Sequence, residues 1–238
     1  MLGTLKNIVD IMFIVLEGLD GAGKSTQVAN IRKMLGMNGL ASEFVHFPRF
    51  DAPLYGELIA RFLRGELGAL DEVNPYLVAL LYAGDRADAA ATIRGWQSAG
   101  RVVIADRYVY SNIGYQCAKV ADEAERRRLA DWILDLEYRH YAIPQPDVSL
   151  FLDVPFAFTE RRLTEARIGG DRDYLRGGTD IHESSLTLQQ RVREVYIDAA
   201  RRDERLRVVD CSDAAGGMAA PEEIFERIAE VLKPYLNQ

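Results

Sequence analysis

Phe13-Ile14-Val15-Leu16-Glu17-Gly18-Leu19-Asp20-Gly21-Ala22-Gly23-Lys24-Ser25-Thr26 is the stretch that decides how this chain folds. Its opening apolar run is long enough for a buried parallel strand and too short for a helix. From Gly18 to Gly23-Lys24-Ser25-Thr26 the spacing is that of G-x-x-x-x-G-K-[ST]. Gly18, Gly21 and Gly23 let the backbone through Asp20 and Ala22 wrap closely round an anion, with successive amides pointing inward. A helix beginning near Lys24 aims the positive end of its dipole at the same point. Lys24 can reach terminal phosphates as a point charge, and the Ser25 hydroxyl can ligate magnesium. A chance match in a Gly-rich turn is the competing reading, and the strand–loop–helix context argues against it. The stretch is a nucleoside-triphosphate site.

The rest of the chain bounds the setting. Its 238 residues, 48% hydrophobic and 27% charged, suit one α/β domain over 12–238. A net charge of −7 argues against a nucleic-acid coat, whose partner would need a basic face. Local arginines can still hold a small anionic substrate. Cys117 and Cys211 form no C-x-x-C pair, which points to a reduced cytoplasmic setting. His46, His140 and His182 show no zinc spacing. No apolar run approaches membrane-spanning length, so no membrane partner is expected. Residues 1–11 lack the features of a signal peptide and read as a disordered leader, with Met12 as an alternative start.

Along the chain, strands are expected over Glu43–Phe47, Arg101–Asp106, Val148–Val154 and Leu206–Cys211, in addition to the first. Helices are expected from Lys24 to Leu35, around Leu58–Leu63, and from the cap Asn74-Pro75 onward. Others run through Leu129, Trp132, Ile133 and Leu136 as one long region, from Phe156 to Arg167, between Leu186 and Arg202, and from Glu222 to Leu236. Residues 168–182 hold four glycines and charges of both signs, with no apolar face. Strands alternating with helices predict a five-stranded parallel sheet covered on both faces. Ligands then bind beyond the C-terminal strand ends.

Candidate chemistry gathers at those ends. Asp20 lies in the phosphate loop, Arg49 follows the second strand in Phe47-Pro48-Arg49-Phe50, and the third strand ends in Asp106-Arg107-Tyr108. A carboxylate there can hold magnesium or its waters, and arginines can fork onto phosphate oxygens. A sugar hydroxyl acceptor would call for a carboxylate base. A monophosphate is already ionised near neutrality, its second pKa being about 6, and calls for cations instead. Arginine after the second strand favours a phosphate acceptor.

These residues resemble the nucleoside-monophosphate kinases, and among them the thymidylate kinase family. The matching pieces are Gly18-Leu19-Asp20, Phe47-Pro48-Arg49, Leu81-Tyr82-Ala83-Gly84-Asp85-Arg86, Asp106-Arg107-Tyr108, Ser111-Asn112, Tyr115-Gln116, Pro144-Gln145-Pro146-Asp147 and Leu152-Asp153-Val154-Pro155. The resemblance implies a P-loop NTPase fold with a mobile lid at about 167–183, and transfer of the ATP γ-phosphoryl group to dTMP with Mg2+. It implies that Tyr82 stacks on thymine, that Arg86 donates to the base, that Asn112 touches it, and that Tyr115 lies against the sugar. Phe47 walls the nucleotide pocket, Arg49 and Arg107 hold the acceptor phosphate, and Asp20 and Asp106 organise magnesium and the donor. Arg167, Arg172 and Arg176 in the lid can meet the transferring group, and Glu183 matches a position that assists magnesium or substrate. The family is usually a homodimer, joined through helices of the kind starting at Asn74 and Asp131. A deoxynucleoside kinase, a non-catalytic nucleotide switch and a monophosphate kinase of other base preference are the rival readings. The switch is disfavoured because [NT]-K-x-D is absent.

Overall fold

The computed structural model describes residues 12–70, 72–164, 170–176, 180–182 and 185–236. The expected leader, 1–11, lies outside the described residues. Among those described, β1 (Phe13–Gly18), β2 (Ser42–His46), β3 (Val102–Asp106), β4 (Val148–Asp153) and β5 (Leu206–Asp210) form one parallel sheet in the order β2-β3-β1-β4-β5. β1 is flanked by β3 and β4 and wholly buried, which is why its sequence is a continuous apolar run. β2 lies at the sheet's edge, and there Ser42, Glu43 and His46 interrupt the apolar pattern.

Side chains of β1 alternate between two cores. Ile14 and Leu16 pack with Ile31 and Leu35 of α1 (Lys24–Met37) and Ile228 of α8 (Pro221–Leu236). Phe13 and Val15 face the other layer, with Ile113 of α4 (Val109–Cys117), Ile133 of α5 (Glu123–Leu134) and Val192 of α7 (Leu186–Arg202). α2 (Tyr55–Leu63), α3 (Pro75–Ser98) and α6 (Phe156–Thr164) complete the described helices. Asn74 caps α3 by accepting from the Tyr76 amide at 2.9 Å, with Pro75 in the first turn. The chain turns left from β1 to β2 and right from β3 to β4, so the crevice opens between the ends of β1 and β3.

The fold departs from expectation in the region after β3. The long helical region there is divided into α4 and α5, because Asp122 starts a new helix by accepting from the Glu125 amide at 2.8 Å. α5 then passes into a π-helical turn, Asp135–His140. Gly170–Leu175 is a 3₁₀ turn. Its apolar side chains dock on α2 instead of repeating along a helix face: the Tyr174 ring stacks on Phe50 at 3.9 Å and Leu175 is buried.

Gly56 sets how the segment after β2 enters α2. A Cβ there would sit 2.4 Å from the Phe50 carbonyl oxygen and 2.7 Å from that of Arg49. Both obstacles are backbone, so they cannot swing aside. Gly56→Ala is expected to cost about 1–3 kcal/mol by overpacking. The thermal midpoint should fall by roughly 2–4 °C for each kcal/mol lost. An unchanged midpoint in calorimetry would contradict this packing.

Candidate active site

A cavity of about 380 Å³ lies over the C-terminal ends of β1 and β3. Its floor is the loop from Asp20 to Thr26. Gly21 and Gly23 have φ of 77° and 83°, a conformation that side chains strain. α1 begins without a side-chain cap and with no acidic residue in its first turn. Its leading amides and dipole therefore face the cavity uncompensated, as an anion site requires. Lys24 is buried, and its Nζ donates to the Leu19 carbonyl at 3.1 Å with Asp106 at 3.9 Å. Burial lowers the Lys24 pKa, and nearby Arg107 adds to the effect.

Opposite Lys24 stands a cluster of charges. Arg107, held at φ 67°, donates through Nη2 to Asp20 at 2.8 Å and through Nη1 to the Ser111 hydroxyl at 3.1 Å. The Tyr115 hydroxyl donates to the other Asp20 oxygen at 2.8 Å. Both Asp20 oxygens are thus engaged by groups of the protein. Asp106 differs. Its Oδ2 lies 3.2 Å from His46 Nδ1, while its buried Oδ1 accepts no hydrogen bond among the described residues. Burial opposes ionisation of Asp106, yet Lys24, His46 and Arg107 together hold its carboxyl below the usual range.

α3 and α4 supply the other end of the cavity. Tyr82 and Arg86 line it from α3, and Asn112 and Tyr115 from α4, each pair at a spacing that shares one face of its helix. Phe47 is buried beneath, tilted against Tyr108 at 5.6 Å. Burial raises the Tyr82 phenol pKa far above its ordinary value. Arg49 sits between two residues that line the cavity, Pro48 and Phe50. Its guanidinium bonds Asp85 at 2.8 Å and Asp88 at 2.6 Å, and the residue is not among those lining the cavity. The two carboxylates lie three positions apart on α3, and their pairing with Arg49 ties the β2–α2 segment to that helix.

His182 adds to the wall, and Glu137, Gln189 and Arg64 support it from behind. Glu137, fully buried, pairs with Arg86. His182 stacks on Tyr115 at 4.9 Å, and burial pushes its imidazole pKa well below the ordinary value. Gln189 of α7 donates to the His182 carbonyl at 3.1 Å. Arg64 of α2 donates to the Tyr174 carbonyl at 2.7 Å. Glu137 and Arg64 belong to no sequence pattern, and only their packing beside the cavity reveals them. Of the expected lid residues, Arg176 pairs with Glu57 at 3.2 Å, and Arg172 belongs to the 3₁₀ turn. Arg167 and Glu183 lie outside the described residues.

The thymidylate kinase family model matches residues 16–217. A thymidylate kinase of Mycobacterium tuberculosis is 35% identical over 189 residues, 79% of this chain and 86% of that protein. A probable thymidylate kinase of Thermococcus kodakarensis is 32% identical over 232 residues, 95% of this chain and 100% of that one. Among solved structures, thymidylate kinase from Candida albicans shares the fold with a TM-score of 0.69 at 24% identity, covering 95% of this chain and 92% of that one.

Behind the cavity wall, Lys119 lies 4.8 Å from the Phe62 ring centre and donates to Gln116 at 2.9 Å. Burial pushes its ammonium down from 10.5 to about 7, with Asp180 opposing. Between those values the unfolded chain binds more protons, so this lysine makes stability rise with pH through the window. At and below its lower end the penalty is fully present. Lys119→Met should therefore stabilise the fold by roughly 1–3 kcal/mol near neutrality, discounted for the partial exposure of the side chain. The gain should shrink toward the upper end of the window. Equal gains in denaturant unfolding at the two ends would contradict it.

Proposed function

The chain belongs to the thymidylate kinase family, and on that footing we propose how its residues move the γ-phosphoryl group of ATP onto thymidine 5′-monophosphate. The observation that carries the reading is the sharing of one cavity. The phosphate loop lies at one end, Arg86 and Asn112 lie at the other, and Arg107 stands between them.

The loop amides and Lys24 hold the β- and γ-phosphates of ATP. Arg107 holds the acceptor phosphate, and Arg49, next to the lining residues Pro48 and Phe50, shares that role. The fixed bonds of Arg107 to Asp20 and Ser111 aim its fork before the substrate arrives, which reduces the cost of orientation. A phosphate acceptor needs no general base, since its attacking oxygen is already ionised. Catalysis is then in-line positioning together with neutralisation of the charge spread over the transferring group. Arg86 donates to the thymine O4 acceptor, where cytosine carries an amine. Tyr82 stacks on the base, Tyr115 backs the deoxyribose, and Phe47 walls the pocket.

Magnesium belongs to the same proposal. The Ser25 hydroxyl and the unpartnered Asp106 Oδ1 make a hard-oxygen donor set that fits the ion, with phosphate oxygens and water as its remaining ligands. Bound there, the ion would neutralise charge on the donor phosphates. Asp20, already engaged by Arg107 and Tyr115, holds those two groups and would help to organise the ion. Arg167, Arg172 and Arg176 are assigned to a lid that shields the transfer from water, and Glu183 to assisting magnesium or the substrate. The reading extends to a cytoplasmic homodimer joined through α3, where Leu77 is 60% exposed. Among the described residues no helix is long and apolar enough to cross a membrane.

A coupled assay offering ATP with a panel of nucleoside monophosphates tests the reading. Lys24→Ala should lower kcat by at least about a hundredfold, the scale of one lost transition-state donor, with the fold retained by circular dichroism. Near-normal turnover would remove the loop from the chemistry. Arg86→Ala should reduce the preference for dTMP over dCMP by at least about tenfold, and an unchanged ratio would remove Arg86 from the base site. Deoxyuridylate should be a real but poorer substrate, because one methyl group discriminates by only about 1–3 kcal/mol. Thymidine accepted in preference to dTMP would favour the nucleoside-kinase rival.

A further inference from the structure

Arg86 and Asn112 reach the cavity from different helices, and one side chain on a third element holds both. Glu137 accepts from Arg86 Nε at 2.5 Å and from Arg86 Nη2 at 2.7 Å. The same carboxylate accepts from Asn112 Nδ2 at 3.0 Å. Asn112 Nδ2 also donates to the Ala79 carbonyl at 3.0 Å, so both of its protons are used. What remains of that amide is Oδ1, which is buried without a partner among the described residues. What remains of the guanidinium is chiefly Nη1, the arm turned away from the carboxylate.

We infer that Glu137 is a positioning residue for base selection, fixing by these bonds which hydrogen-bonding polarity the cavity presents to the pyrimidine edge. The inference rests on the reading of the site as the acceptor pocket for a pyrimidine monophosphate, and deepens it. With Glu137 in place the cavity offers a donor from Arg86 beside an acceptor from Asn112. Thymine and uracil present the complement, an O4 acceptor beside an N3–H donor. Cytosine presents the reverse, an amine donor beside a bare N3.

The amide of Asn112 could by itself turn over and suit either base. The carboxylate forbids the turned form, because it would set Oδ1 against Glu137 Oε1 and the Ala79 carbonyl, acceptor against acceptors, in a buried site. Arg86 is held in the same way. Its guanidinium is 1% exposed, lies 5.9 Å from the Tyr108 ring centre, and is spread bidentately on the carboxylate.

The backbone around Glu137 suits this task. The residue belongs to the π-helical turn Asp135–His140, where the Tyr141 amide donates to the Leu136 carbonyl at 2.8 Å. The wider turn shifts the helical phase, which places a carboxylate among buried apolar side chains that continue the face of Leu129 and Ile133. A buried charge of this kind is costly to leave unpaired, so the cluster forms as a unit.

Glu137→Gln and Glu137→Asp in the full chain test the inference. The glutamine variant keeps the size of the side chain but adds a donor, so that the turned form of Asn112 is opposed by the Ala79 carbonyl alone. The aspartate variant keeps an acceptor-only group. The expected result for Glu137→Gln is at least a tenfold fall in the ratio of kcat/KM for dTMP to that for dCMP. The change should lie in KM for the monophosphates, with KM for ATP unmoved. Glu137→Asp should keep the ratio within about threefold of the wild type, even where its KM rises.

An unchanged ratio in Glu137→Gln would overturn the inference, as would parallel losses on both substrates. Failure of both variants to fold, judged by thermal unfolding, would overturn it too, by giving Glu137 to stability alone. Calorimetric binding of dTMP and dCMP without ATP keeps this test separate from the activity. Wild-type protein that bound dTMP selectively but never phosphorylated it would sink the kinase reading and leave Glu137 to be judged on binding.

Discussion

Glu17 is fully buried near the end of β1, and its carboxylate accepts hydrogen bonds from elements that otherwise meet only through apolar packing. The Tyr108 amide donates at 3.0 Å and the Ser111 amide at 3.2 Å, so the carboxylate caps the start of α4. The Ser111 hydroxyl donates at 2.5 Å and the Tyr196 hydroxyl, from α7, at 2.9 Å. Burial pushes the Glu17 pKa up, while the Ser111 and Tyr196 bonds and the charge of Arg107 pull it back. A buried carboxylate deprived of these donors would be costly, so the β1 end, the Asp106-Arg107-Tyr108 turn and both helices are fixed together. That fixes where Arg107 stands relative to the phosphate loop, the distance on which in-line transfer between two anions depends.

A second buried carboxylate does similar work at the far end of the cavity. Glu137 gathers α3 and α4 round the base edge as Glu17 gathers β1, α4 and α7 round the phosphates. Each of these acids touches arginine or donors and is itself inaccessible to substrate. A net acidic chain thus binds an anionic ligand without a basic exterior: its cations lie inside, paired and aimed by carboxylates. Arg49 shows the same economy turned to structure, since its pairing with Asp85 and Asp88 ties the segment after β2 to α3.

The segment over the cavity is docked through aromatic and backbone contacts. Tyr174 stacks on Phe50, its hydroxyl donates to Asp180 at 2.7 Å, and the Ile181 amide donates to the Leu63 carbonyl at 3.0 Å. Gly84 belongs to this arrangement, because a Cβ there would lie 2.2 Å from the Tyr55 ring. Local contacts of this kind lie away from the sheet, which suits a cover that closes on substrate.

The five strands and the phosphate loop were legible in the chain itself, and the expected pocket residues came through the family resemblance. Hydrophobic runs, glycine spacing and helical periodicity are local properties, and Tyr82 with Arg86, or Asn112 with Tyr115, lie at spacings that share a helix face. The direction of an arginine is not local. Arg49 and Arg107 are alike in sequence, each just after a strand, yet one meets Asp85 and Asp88 and the other meets Asp20. Glu17 and Glu137 read as isolated acids in apolar stretches, and no pattern marks them. Their meaning arises when segments far apart in the chain pack together and water is excluded, because only then does an unpaired charge become costly enough to dictate its partners. The sequence by itself determined the elements and the donor loop; which charges pair, and hence which are left to meet a substrate, was decided only by the packed tertiary structure.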